Sequence, residues 1–131
     1  MRVSPRQLQL SLLAPEFAIT RLSADATIPD WAKGRTFCSI TRTTDELSIV
    51  CEAVQVPSDV KRTAGWRALK FHGPFDFNET GVLASVVAPL AAAAISVFAV
   101  STYDTDYLLL RDSELARALA ILRDAGHTIA T

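Results

Sequence analysis

Residues 71–110 read FHGPFDFNETGVLASVVAPLAAAAISVFAVSTYDTDYLLL, and the order of polar breaks in this stretch decides the fold. Phe71 closes a β-type run, Gly73-Pro74 turns the chain, and a short acidic loop follows. Thr80-Gly81 then opens an apolar segment. Within it Val82, Leu83, Val86, Val87 and Leu90 recur at the spacing of a broad, buried helix face. Pro89 has no backbone N–H and is expected to kink or shorten that helix near Ser85. Ser96 to Val100 and Asp106 to Leu110 are β-type runs joined by a polar turn. Two polar spots, Asp76 to Gly81 and Ser101 to Asp106, therefore interrupt an otherwise apolar segment, and any small ligand is expected there. On length alone Val82 to Val100 matches a membrane span. Pro89, the Ala-rich run from Leu90 to Ala94 and loop-like flanks favour a buried helix followed by a buried strand.

Trp66 to Phe71 is a strand with apolar residues on both faces, which predicts a central position. Downstream, Ser113 is placed to cap a helix that Gly126 ends, with Leu115, Leu119 and Leu122 inward and Arg117, Arg123 and Asp124 outward. His127 to Ala130 is a short last strand. From Trp66 onward the order is β-α-β-β-α-β, the split β-α-β of a ferredoxin-like unit.

The same skeleton lies about 60 residues upstream, where FCSITRTTDELSIVCE parallels VFAVSTYDTDYLLLRD. Phe37 to Arg42 and Glu46 to Cys51 are its β-rich arms. Phe17 to Leu22 precedes them as a strand. Ser23 to Arg35 replaces the first helix with a loop, holding one helical turn near Pro29-Asp30-Trp31 and anchored by Trp31. Ser58 to Ala64 is a short helix at most, capped by Ser58 and stopped by Gly65. Leu8, Leu10 and Leu12 alternate with polar residues as a half-buried strand, and a hairpin across Ala14-Pro15-Glu16 would join it to Phe17–Leu22. The expected fold is α+β: two tandem βαββαβ units, residues 1–65 (degenerate) and 66–131, with antiparallel sheets and helices on one face.

The chain has 131 residues, half of them hydrophobic, and a formal net charge of −1. That length gives one compact unit or two very small subdomains with a sizeable core. Order is expected except at the first few residues and around Ser23 to Gly34. No basic stripe marks a nucleic-acid or anionic-membrane surface, and no signal peptide is read at the N-terminus. Cys38 and Cys51 are too few for a disulfide framework. With Thr44-Asp45 as a two-residue turn they would face each other in a non-hydrogen-bonded pair, so a disulfide is geometrically feasible, against two buried thiols in a cytoplasmic protein. Two Cys and two distant His do not make a zinc set. No cofactor is implied.

Taken together, ELSIVC, WRALKFHGPFDFNETGVLA and VFAVSTYDTDYLLL resemble the tandem ACT-domain proteins, a family that includes small bacterial two-ACT proteins and the ACT repeats of the animal cytosolic arginine sensor. The resemblance covers most of Phe37 to Thr131. It implies a cytoplasmic amino-acid-binding regulatory module without catalysis, a ligand at the helix-opening loop and the strand turn, a homodimer that supplies the interface, and a regulated protein partner. Its ligand-binding positions here are Asp76, Asn78, Glu79, Thr80, Gly81, Val82, Ser101, Thr102, Tyr103, Thr105 and Asp106.

The residue types suit that ligand. A carboxylate fits the free N–H groups of Thr80, Gly81 and Val82 at a helix start. An ammonium needs an acid such as Asp106 or Glu79. Asp76 and Asn78 can meet a polar or cationic side chain, and Tyr103 can cover it. Each also has a plain structural role: Glu79 and Thr80 as helix-start residues, Asp104 and Asp106 as turn residues, Tyr103 as a surface aromatic. His72 and His127 read as structural, and Lys61-Arg62 as solvated charge. No nucleophile–base pair, phosphate loop or pKa-split carboxylate pair supports an enzyme. The alternative is a structural or protein-interaction module with an empty pocket.

Overall fold

The structure, a computed structural model, describes residues 6–76 and 78–131. The first five residues, where disorder was an expectation, lie outside them. The chain divides into two units: Ala14–Arg67, and residues 6–13 together with Ala68–Thr131. Strands are numbered in chain order. β1 is Gln9–Leu12, β2 Phe17–Leu22, β3 Ser39–Arg42, β4 Leu47–Glu52 and β5 Arg62–Phe71. Helix α1 is Val82–Ala92, followed by β6 Val97–Ser101, β7 Asp106–Arg111, α2 Leu115–Asp124 and β8 Thr128–Ala130. The division falls within β5.

In the Ala14–Arg67 unit the strand order is β3-β4-β2-β5. The β3–β4 ladder runs from Arg42↔Leu47 to Ser39↔Val50, and Thr43 N–H donates to Glu46 C=O at 2.9 Å. Thr44-Asp45 is thus the two-residue turn. Continuing that register by one residue sets Cys38 opposite Cys51; both are free thiols, Cys51 buried and Cys38 half-buried. The core consists of Ala18, Leu47, Ile49, Cys51 and Val56, with Ala26, Trp31 and Ala32 of the Ser23–Gly34 segment packed on it. That segment folds as turns, with Ala32 N–H on Pro29 C=O at 3.0 Å, and Trp31 anchors it as expected. Arg42 fastens it further through the carbonyl oxygens of Ala24 and Ala26.

Ser58–Ala64 is not a helix. A single 3-10 turn spans Ala53–Gln55, and β5 already begins at Arg62. Strand pairing overrides the cap signal, because β2 needs a partner on its open edge. Between Phe17↔Trp66 and Ile19↔Thr63 the register slips by one residue. Gly65, at φ 83°, supplies the left-handed conformation that such a bulge requires. Arg62 is not solvated charge either: its guanidinium bonds the carbonyl oxygens of Val56, Pro57 and Val60, bracing the turn before β5.

In the other unit the order is β8-β1-β5-β7-β6. The expected β1–β2 hairpin is absent. β1 lies antiparallel to β5, with Leu10↔Phe71, and parallel to β8, with Leu10↔Ile129. Alternation told correctly which face of β1 is buried; it carries no information on which strand lies alongside. Both helices pack on one sheet face through Val82, Val86 and Leu90 of α1 and Ala118, Leu119 and Leu122 of α2, against Leu8, Leu10, Leu69, Phe71, Leu108, Leu110 and Ile129. Ser113 does not cap α2. It sits in a 3-10 turn, Asp112–Glu114, that leads into the helix, and no side chain makes a cap bond. Gly126, at φ 97°, lies just beyond the helix end.

Val82–Val100 is a helix followed by a strand, and no helix among the described residues is long and apolar enough to cross a membrane. Pro89 does not shorten α1, which continues to Ala92. Its missing N–H leaves the Ser85 carbonyl without its helical donor. The buried His127 supplies one: Nε2–H donates to Ser85 C=O at 2.9 Å, while Nδ1 accepts from Leu8 N–H at 3.0 Å. One neutral tautomer satisfies both bonds.

Candidate functional site

The two polar spots of the 71–110 stretch are fastened to each other. After β5 the chain turns at Gly73-Pro74, a cis peptide bond. Gly73 lies so close to the β6–β7 turn that a Cβ there would sit 2.8 Å from Asp104 O and 3.2 Å from Thr105 Cβ. Phe75 N–H donates to Asp104 C=O at 2.8 Å, and the buried Thr105 hydroxyl donates to Phe71 C=O at 2.7 Å. The turn itself is closed by Thr102, whose N–H donates to Thr105 C=O at 2.8 Å and whose Oγ1 accepts from Thr105 N–H at 3.3 Å. At its base Ser101 Oγ donates to Asp106 Oδ1.

The acidic loop organises its own amides. Asp76 Oδ1 accepts from Asn78 N–H at 3.0 Å. Glu79 N–H donates to Asp76 C=O at 2.9 Å, and Glu79 Oε2 accepts in return from Asp76 N–H at 2.7 Å. Glu79 Oε1 also accepts from Arg6 Nη2 at 3.1 Å. This reciprocal exchange resembles a capping box, set ahead of the helix rather than at its first residue. Glu79 thus does not cap α1. Gly81 occupies the N-cap at φ 77°, with no side-chain cap bond and no acid in the first turn. The first-turn N–H groups carry the positive end of the helix dipole without a protein anion upon them.

Between loop and turn lies an open cleft of about 220 Å³. Of the sequence-predicted residues, Asp76, Glu79, Val82, Ser101, Thr102, Tyr103, Thr105 and Asp106 line it. Asn78, Thr80 and Gly81 are exposed and stand outside the lining. Phe75 and Asp104 also line it. Asp104 falls within the Ser101–Asp106 spot but reads there as a turn residue; its place two residues before Asp106 on a tight turn was the available signal. Phe75 carried none, being one apolar residue beside an acidic loop. Four acidic residues, Asp76, Glu79, Asp104 and Asp106, therefore border one cleft, and among the described residues Arg6 pairs with Glu79. The field there favours a cationic group. Tyr103, 80% exposed, stands at the rim.

The thiols lie elsewhere, in the strands of the other unit. Burial pushes the Cys38 pKa up; burial, with Cys38 and Glu52 adding to it, pushes Cys51 to about 11. Both stay protonated near neutral pH and are poor nucleophiles. Among the described residues no three His, Cys, Asp or Glu side chains gather as a metal set.

Residues 61–124 match the model of the ACT domain, and residues 15–59 match a second family model, that of an N-terminal domain. A solved protein of Agobacterium tumefaciens is 47% identical, with a TM-score of 0.90 over 95% of this chain and 92% of that one. The cytosolic arginine sensor for mTORC1 subunit 1 of Rattus norvegicus is 33% identical over 85 residues, 59% of this chain and 26% of that protein. The chain thus spans about a quarter of the length of that relative. The aspartate kinase of Clostridium acetobutylicum shares the fold, with a TM-score of 0.65 at 8% identity over 95% of this chain and 36% of that one. The βαββαβ order from β5 to β8, the match over β5 to α2 and these likenesses agree, and residues 61–124 belong to the ACT-domain family.

Proposed function

We propose that this protein is a regulatory or sensing module that binds a small amino acid in the acid-lined cleft, at the interface of a homodimer. The observation that carries the reading is the union of the helix-opening loop and the β6–β7 turn, through Phe75 N–H and Asp104 C=O, beside a helix start with no side-chain cap. In this reading the ligand carboxylate takes the first-turn amides near Val82, the ammonium meets Asp106, and a polar or cationic side chain meets Asp76 and Glu79. The relatives support it: one is named an arginine sensor, another an allosteric kinase.

At about 220 Å³ the cleft is smaller than the roughly 300–1,000 Å³ that usually encloses a ligand, so a second wall is needed. A second copy can supply it. Among the described strands β6 pairs only with β7, and its sequence VFAVS presents an edge with no Lys, Glu or Pro to block pairing. Ala99→Lys, at an exposed position of that strand, should turn the dimer into a monomer by light scattering; a wild-type protein that is already monomeric at high concentration removes the dimer.

The ligand is tested by thermal melting against a panel of amino acids. At a hundredfold excess over Kd, one of them should raise the midpoint by on the order of 5–10 °C. Asp106→Asn should weaken it at least tenfold with the fold intact. A flat panel favours the second reading, an interaction module with an empty pocket. The observation on that side is that Asp76, Glu79 and Asp106 already hold local hydrogen bonds.

A further inference from the structure

A larger cavity, about 420 Å³, opens on the other side of the same β6–β7 turn. It lies on the sheet face opposite the helices. Leu10 and Leu12 of β1 and Leu69 and Phe71 of β5 point toward α1 and α2, so Ser11 and Lys70, paired across the two strands, point away. Ser11 and Lys70 line the cavity with His72, Pro74, Asp104 and Tyr107. The volume is within the range of small-molecule sites.

The charges define what it can hold. Among the described residues Lys70 makes no ion pair. Asp104 offers its carbonyl to Phe75, and its carboxylate makes no ion pair there either. Lys70 and Asp104 line one cavity without an ion pair between them, so the ammonium and the carboxylate stand more than 4.0 Å apart. The Ser11 hydroxyl and His72 Nε2 are bonded to each other, fixing one end of the wall. Pro74 and the Tyr107 ring offer apolar surface between.

We propose that this cavity is a second ligand site, for a small zwitterion whose carboxylate meets Lys70 and whose ammonium meets Asp104. One cation and one anion on the wall match one of each on the ligand. A phosphate would meet a single lysine and be repelled by Asp104, and a simple cation would be repelled by Lys70. The site is independent of the acid-lined cleft in its charges, yet Thr102, Asp104 and Thr105 border both.

The test is a titration of the full chain, labelled with 15N, followed through its amide resonances. Glycine, 4-aminobutyrate and 6-aminohexanoate serve as probes of increasing charge separation, with butyrate and inorganic phosphate as single-charge controls. At least one amino acid should give saturable shifts at Ser11, Lys70, His72 and Tyr107. Butyrate and phosphate should bind at least tenfold more weakly. Lys70→Gln should weaken the amino acid at least tenfold while leaving the melting midpoint unchanged, and Asp106→Asn, in the other cleft, should leave its affinity unchanged. Absence of saturation by all three probes, equal binding of butyrate or phosphate, or full affinity in Lys70→Gln would overturn the site. Saturable shifts confined to Asp76, Glu79 and Val82 would overturn it as well while supporting the acid-lined cleft.

Discussion

Replacement of His127 by alanine is expected to destabilise the protein by about 3–5 kcal/mol, a drop in melting midpoint of roughly 10–15 °C. The ring is 4% exposed, and each of its nitrogens bonds a backbone group. Nε2–H replaces the helical N–H that Pro89 cannot give to Ser85 C=O, and Nδ1 receives Leu8 N–H ahead of β1. Alanine would leave both backbone groups unsatisfied, at about 1–3 kcal/mol each, and a void where the ring packed. The control is Pro89→Ala. Restoring the N–H at residue 89 lets the helix serve Ser85 itself, so His127→Ala should cost about 1 kcal/mol less in that background. Chemical denaturation of the four proteins measures the difference. An equal cost in both backgrounds would mean that the Ser85 bond contributes nothing.

Gly73→Ala should cost about 2–3 kcal/mol and open the acid-lined cleft in the same step. The new Cβ would stand 2.8 Å from the Asp104 carbonyl oxygen, and the same oxygen accepts the Phe75 N–H. Both atoms belong to backbone, so no side chain can swing aside; the β6–β7 turn must move from the Gly73-Pro74 segment. The expected signature is a lower midpoint together with loss of hydrogen-exchange protection at Phe75 and Thr105. A variant of normal stability with both amides still protected would show that loop and turn do not depend on this contact.

Much of this architecture was legible locally. Val82, Val86 and Leu90 lie on the buried face that their spacing indicated, because helix periodicity is a property of adjacent turns. The β3–β4 turn and its register follow from a short polar link between two β-rich arms. The polar spots at Asp76–Gly81 and Ser101–Asp106 come together because β5, α1, β6 and β7 follow in the order that returns the chain to the end of β5. The rest depended on partners distant in sequence. Ser58 carries a cap signal and Ser113 another, yet pairing with β2 draws residues from Arg62 onward into a strand, and the entry to α2 tightens into a 3-10 turn that needs no cap. Phe75 and Lys70 have no motif of their own; what each does is set by the turn that faces it.

The sequence by itself determined the βαββαβ order from β5 onward, the buried faces of β1, α1 and α2, and the two polar breaks around which a ligand site can form. These follow from hydrophobic period and from residues that stop or turn the backbone, both readable within a few positions. Only the tertiary structure decided that β1 lies between β5 and β8, that His127 answers Pro89, and that Asp76 and Glu79 are already engaged in holding their own loop. Backbone hydrogen bonds are alike in every residue, so which strand they join, and which side chain answers a missing one, is settled only when the whole core packs.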